Sequence, residues 1–84
     1  MTQQKLRSHD LYQDVALEIL TGEESNLILE NGTVLFERPV SEKLLKAIDA
    51  FHSGIPINVL LYSQAFKRRK AQMLMAKNGI EGQR

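Results

Sequence analysis

Asparagine followed by glycine at Asn31-Gly32 constrains this chain more than any other pair of residues. The pair readily takes the two positive φ angles of a type I′ turn, whose twist matches that of the strands on either side. Two short segments of alternating character flank it, Asn26-Leu-Ile-Leu-Glu30 and Thr33-Val-Leu-Phe-Glu37. A two-residue loop then sets the register, with Leu29 opposite Val34 and Leu27 opposite Phe36 on the face turned to the core. The other face carries Asn26, Glu30, Thr33 and Glu37 around Ile28 and Leu35, which makes that apolar pair a candidate contact surface.

Helices are expected on both sides of the hairpin. Leu11, Val15 and Ile19 recur every fourth residue, with Tyr12, Ala16 and Leu20 beside them, so a stripe at helical period runs to about Thr21. Ser8 or Asp10 can cap its start, and Gly22 stops it. Pro39 ends the second strand. Ser41 caps a second helix with Val40 placed to staple onto Leu45; its buried stripe is Leu44, Leu45, Ile48 and Phe51, and Ser53-Gly54 closes it. The last turn of that helix holds His52, where the terminal carbonyls are its natural partners.

Pro56 and Asn58 suit the start of a third helix over about 57–77, ending at Asn78-Gly79. Residues 57–62 also read as a short strand, but the stretch from Gln64 to Lys77 has high helix propensity and no internal Gly or Pro. The order α-β-β-α-α predicts one small α+β domain: a two-stranded antiparallel hairpin packed against helices, with a long C-terminal helix. Residues 1–7 and 80–84 read as polar, disordered tails.

At 84 residues there is chain for one core only, and a core this small often needs a staple. The chain has no cysteine, and its two histidines, His9 and His52, lack the spacing of a ligand pair. Oligomerisation is the remaining staple, so a homodimer is expected. The polar N-terminus has no apolar stretch of the signal-peptide kind, and the longest apolar run, Val59 to Tyr62, is far short of the ~20 residues of a membrane span. A soluble cytoplasmic protein with no membrane partner is the expectation.

Motifs that carry chemistry are missing. There is no Gly-x-Ser-x-Gly elbow, no His-Glu-x-x-His, no Walker A loop and no Gly-x-Gly-x-x-Gly. The expectation is a non-enzymatic protein without metal, cofactor or small-molecule substrate. The net charge of +1 hides a split. Residues 1–42 hold three basic and eight acidic groups, net −5, and residues 43–84 hold eight basic and two acidic, net +6. Either an anionic partner for the basic half or mutual neutralisation across the fold accounts for this.

Lys67-Arg68-Arg69-Lys70 is the densest feature, one full helical turn of positive charge. The stripe marked by Val59, Tyr62 and Phe66 runs forward onto Arg69, with Lys70 on its edge. Burying two unpaired charges costs several kcal/mol each. The third helix is therefore expected to leave its core near residue 67, or the side chains to snorkel past it. Lys67, Lys70 and Lys77 fall on one side with Arg68 and Arg69 flanking, a candidate phosphate-contact track on DNA or RNA. Beyond it, Met73, Leu74 and Met75 fan over several sides of the helix and form a candidate interface for a second copy or a partner protein.

The second helix, glycine and basic third helix resemble a helix-turn-helix at Ala50, Gly54, Ile55 and Leu60. They depart from it at Asp49, Ser53 and Ser63, where apolar residues belong. The strand-helix-glycine-helix order is also similar to half of a ribbon-helix-helix, in which, however, the strand pairs with another chain rather than with a local hairpin. The leading expectation is a small regulatory protein contacting nucleic acid through the third helix; the alternative is a protein-binding modulator using the apolar end of that helix or the outer hairpin face.

Overall fold

The computed structural model describes residues 4–78. Its elements run β1 (Lys5–Ser8), α1 (Leu11–Thr21), β2 (Asn26–Glu30), β3 (Thr33–Pro39), α2 (Glu42–Ser53) and α3 (Val59–Lys77). The fold is α+β, as expected, but its antiparallel sheet has three strands in the order β1-β3-β2 rather than two.

The hairpin has the expected register, Leu29 opposite Val34 and Leu27 opposite Phe36. Asn31 and Gly32 sit at φ 53° and 79°, the left-handed pair that a type I′ turn requires. Val34 and Phe36 are buried, whereas Leu29, close to the turn, remains 46% exposed.

The strand β1 corrects the expectation of a frayed start. Leu6 and Ser8 lie opposite Arg38 and Phe36, and Lys5 and Arg7 opposite Pro39 and Glu37. Four residues have little strand tendency of their own. What fixes them is the free edge of β3, which offers unpaired backbone groups, and the packing of Leu6 against the Leu17, Leu44 and Ala47 cluster. On the outer face Arg7 donates to Glu37 at 2.9 Å, and Lys5 lies 3.7 Å from the same carboxylate. Of the expected tails, residues 1–3 and 80–84 lie outside the described residues.

Each helix begins on a side-chain cap. Asp10 Oδ1 accepts from the amides of Tyr12 and Gln13, Ser41 Oγ from Leu44, and Asn58 Oδ1 from Leu61. Asn58 as cap places Val59 to Tyr62 in the helix and removes the strand alternative. Gly22 closes α1 in the left-handed region at φ 77°.

Between its neighbours, α1 packs on both α2 and α3, while α3 also reaches β2 and β3. Val15, Ala16, Leu17, Val34, Phe36, Leu44, Ala47 and Ala65 form the buried apolar set. Each of its larger members contributes about 1.5–3 kcal/mol by leaving water. Two stripe assignments change: Leu45 is 54% exposed and Val59 81% exposed. The inward face of α3 is centred on Ala65 and Arg69, which turns Val59 and Leu60 away from it, while Leu61, one turn before Ala65 on the same side, is 53% exposed in the first turn of the helix.

Candidate nucleic-acid interface

Arg69 decides how the basic turn is arranged. Its residue is 2% exposed, on the side of α3 that meets α1 and the hairpin. Nε donates to Asp14 Oδ2 at 3.2 Å, Nη1 to Gln72 Oε1 at 2.8 Å, and Nη2 to the Ser25 Oγ and carbonyl at 2.7 and 3.1 Å. The Ser25 hydroxyl in turn donates to Asp14 Oδ1 at 2.6 Å. Arg38, also buried, donates to that same oxygen and to the Asp14 carbonyl at 3.0 Å each, and to the Glu23 carbonyl at 2.9 Å. The Arg69 guanidinium also lies 5.8 Å from the centre of the Phe36 ring, within cation–π range.

α3 therefore stays on its own core through residue 69, because the buried charge is paired rather than bare. A guanidinium with four hydrogen bonds to carboxylate, hydroxyl and carbonyl acceptors escapes most of the cost of an unpaired ion. Arg69 is consequently withdrawn from the expected phosphate track. Arg68 is spoken for as well: it pairs with Glu18 and, at 3.4 Å, with Glu24. Glu18 Oε1 is buried without a hydrogen bond, 4.0 Å from Arg69 Nε.

Sorted this way, the cations separate cleanly. Among the described residues, Lys5, Arg7, Arg38, Lys43, Lys46, Arg68 and Arg69 each lie within 4.0 Å of a carboxylate oxygen. Lys67, Lys70 and Lys77 have no carboxylate of the described residues within that distance, and all three are exposed. At 100° per residue they fall within an arc of about 80° and span about 15 Å along the helix. The expected basic track thus persists as three lysines.

Beside Lys67 the surface turns aromatic. Tyr12 from α1 and Tyr62 and Phe66 from α3 line an open cleft of about 330 Å³, together with Ser63 and Lys67. The Tyr12 and Phe66 ring centres are 5.2 Å apart, and those of Tyr62 and Phe66 are 6.1 Å apart in a stacked arrangement. Tyr12 is 64% exposed, and the Tyr62 hydroxyl donates to the Tyr12 carbonyl at 3.2 Å. Burial pushes the Tyr62 phenol pKa above its ordinary value, and the nearby Tyr12 and Asp10 add to the shift. In the sequence these rings belong to two separate apolar stripes, and nothing local shows that the stripes meet at the surface.

The expected interface residues are dispersed. Met73 is half-buried and lines a second cleft with His9, Gly32, Thr33, Val34 and Lys77, while Leu74 and Met75 face outward, 45% and 68% exposed. Ile28 and Leu35 are paired in register and half-buried on the outer sheet face, whose charged neighbours Arg7, Glu30 and Glu37 form ion pairs. Among the described residues no cluster of His, Cys, Asp or Glu could hold a metal ion, and no helix is long and apolar enough to cross a membrane. Comparison with protein-family models, curated proteins and solved structures gives no match to this chain.

Proposed function

We propose that this chain is a small, non-enzymatic regulatory protein that contacts nucleic acid through the outer face of α3. One observation carries the reading: among the described residues, the three lysines without a carboxylate partner all lie on that face, whereas the other lysines and arginines are paired. A chain that pairs its cations elsewhere and leaves one aligned set free presents that set to an external anion. Lys67, Lys70 and Lys77 would meet successive phosphates, with Arg68 and Arg69 holding the helix in place.

Salt-dependent binding tests the proposal. Affinity for a nucleic acid should fall as salt rises, with a log–log slope of roughly 0.7–0.9 per phosphate contact. Lys67→Gln with Lys70→Gln should remove about 1.4–1.8 from that slope. Their thermal stability should barely move, because exposed charges outside a network typically matter by under about 0.5 kcal/mol. A slope unchanged by the pair of substitutions overturns the track.

A second reading is favoured by a different observation. Val59, Leu60 and Leu61 are 81%, 65% and 53% exposed at one end of α3, and Leu74 and Met75 are exposed at the other. Apolar surface of this kind suits a protein partner or a second copy, as does the near-neutral net charge of +1. A partner protein retained by the wild type and lost in Leu60→Glu, with nucleic-acid binding absent, would establish an adaptor instead.

A further inference from the structure

The aromatic cleft beside the lysine track has a use that phosphate contact alone does not call for. We infer that Tyr12, Tyr62 and Phe66 form a base-stacking subsite, which makes single-stranded nucleic acid the preferred ligand over duplex. The inference rests on the proposed function and adds to it the class of nucleic acid.

Three of the five aromatic rings in the chain meet at this one surface position, contributed by two different helices. Stacking needs an exposed π-face, and Tyr12, at 64% exposure, supplies one. Phe66 and Tyr62 back it at 5.2 Å from Tyr12 to Phe66 and 6.1 Å from Phe66 to Tyr62, so the platform is held rather than loose. The Tyr62 hydroxyl bonds the backbone of residue 12, which fixes the start of α1 against α3 without using the Tyr12 side chain. A base lying in the cleft would have its own phosphate near Lys67, which lines the same opening, and the next ones toward Lys70. Asp10, close enough to Tyr62 to raise its phenol pKa, caps α1 with its carboxylate, and that negative charge disfavours a phosphate beside it. The backbone path is thereby directed along the lysines. Bases in a duplex are stacked on each other and cannot enter the cleft; unpaired bases can.

The chain has no tryptophan and only two tyrosines, both of them in the cleft, so intrinsic tyrosine emission reports this site alone. The experiment titrates the full chain with oligothymidylate and oligouridylate of about 15 nucleotides and with a duplex of equal length. Binding is followed by oligonucleotide anisotropy and by tyrosine emission. Both single strands should bind more tightly than the duplex and quench the tyrosines. Tyr12→Ala should weaken single-strand binding by roughly five- to 150-fold, the range for loss of one aromatic–base stack. Tyr12→Phe should bind like the wild type. Tyr12→Leu, which keeps apolar area without a π-face, should bind like Tyr12→Ala.

Equal affinity for single strand and duplex, or unquenched tyrosines in the bound state, overturns the subsite while leaving the lysine track in force. Tyr12→Leu binding like the wild type does the same, since the cleft is then an apolar contact and not a stacking site. If no nucleic acid binds even at low salt, the subsite and the proposed function fall together. The quenching measurement needs no substitution, so the inference remains exposed to failure even if a Tyr12 variant folds poorly.

Discussion

At residue 69 a guanidinium directs its fork at Asp14, Ser25 and Gln72; one position later, Lys70 projects into water without a carboxylate partner. Substitutions at the two sites should differ accordingly. Arg69→Gln leaves buried Asp14 short of a cation and strips the Ser25 carbonyl of its donor. Arg38 still pairs with Asp14, so the loss falls at or below the lower end of the range of about 3–5 kcal/mol typical of breaking a buried pair. A domain of this length has only about 4–13 kcal/mol in total. Urea denaturation should therefore show a much lower midpoint for Arg69→Gln, and Arg69→Lys also destabilised because an ammonium cannot reproduce the fork. Lys70→Gln should unfold with the wild type. Equal midpoints for Arg69→Gln and Lys70→Gln would show that the network does not hold the fold.

Among the elements, β1 depends most on others. It has four residues, and its backbone partners and side-chain contacts all come from elsewhere in the chain. The hairpin carries its own turn and register, so losing β1 should leave β2 and β3 paired. Leu6→Ala removes the half-buried side chain that packs on Leu17, Leu44 and Ala47, at a cost of about 2 kcal/mol, the low end of the range for truncating a large apolar residue. Amide exchange should accelerate across residues 5–8 while β2 amides keep their protection. Uniform acceleration across the sheet would mean that β1 and the hairpin open as one unit.

The molecule as a whole is thin, with principal extents of 41 × 39 × 17 Å and a radius of gyration of 13.5 Å. A compact chain of 84 residues is expected nearer about 12 Å. Apolar side chains that a thicker fold would cover are left on the outside of α3, and under the second reading a second copy of the chain would cover them. Antiparallel pairing of two α3 helices that sets Leu60 of one against Leu74 of the other brings Lys67 next to its own copy at the two-fold axis. Self-association through this face should therefore strengthen as salt screens the lysines, the reverse of nucleic-acid binding. On that reading, sedimentation at micromolar concentration should show a species near twice the monomer mass, its share growing with salt and lost in Leu74→Glu/Met75→Glu. A dimer that weakens with salt would place the contact elsewhere.

Local chemistry was enough to set most of the elements. Asn31-Gly32 can form its turn without help, Asp10, Ser41 and Asn58 reach amides two or three residues away, and Gly22 takes a conformation that other residues resist. Such signals act over a few positions, so they are legible along the chain: the hairpin register, the helix ends and the overall α+β class. The apolar stripes were legible in period but not in depth, and Val59 and Leu45 turn outward although they fit the pattern. Only the tertiary structure decided which basic residues are paired and which stay exposed. Arg69 is buried because Asp14, 55 positions earlier, meets it across α1 and α3, and Arg68 is engaged because Glu18 and Glu24 stand on the same side. The third strand exists because β3 has an open edge, and the aromatic cleft exists because two helices cross where Tyr12 and Phe66 happen to be level. A charge or a ring carries no mark of its distant partner, since the energy that places it belongs to the pair.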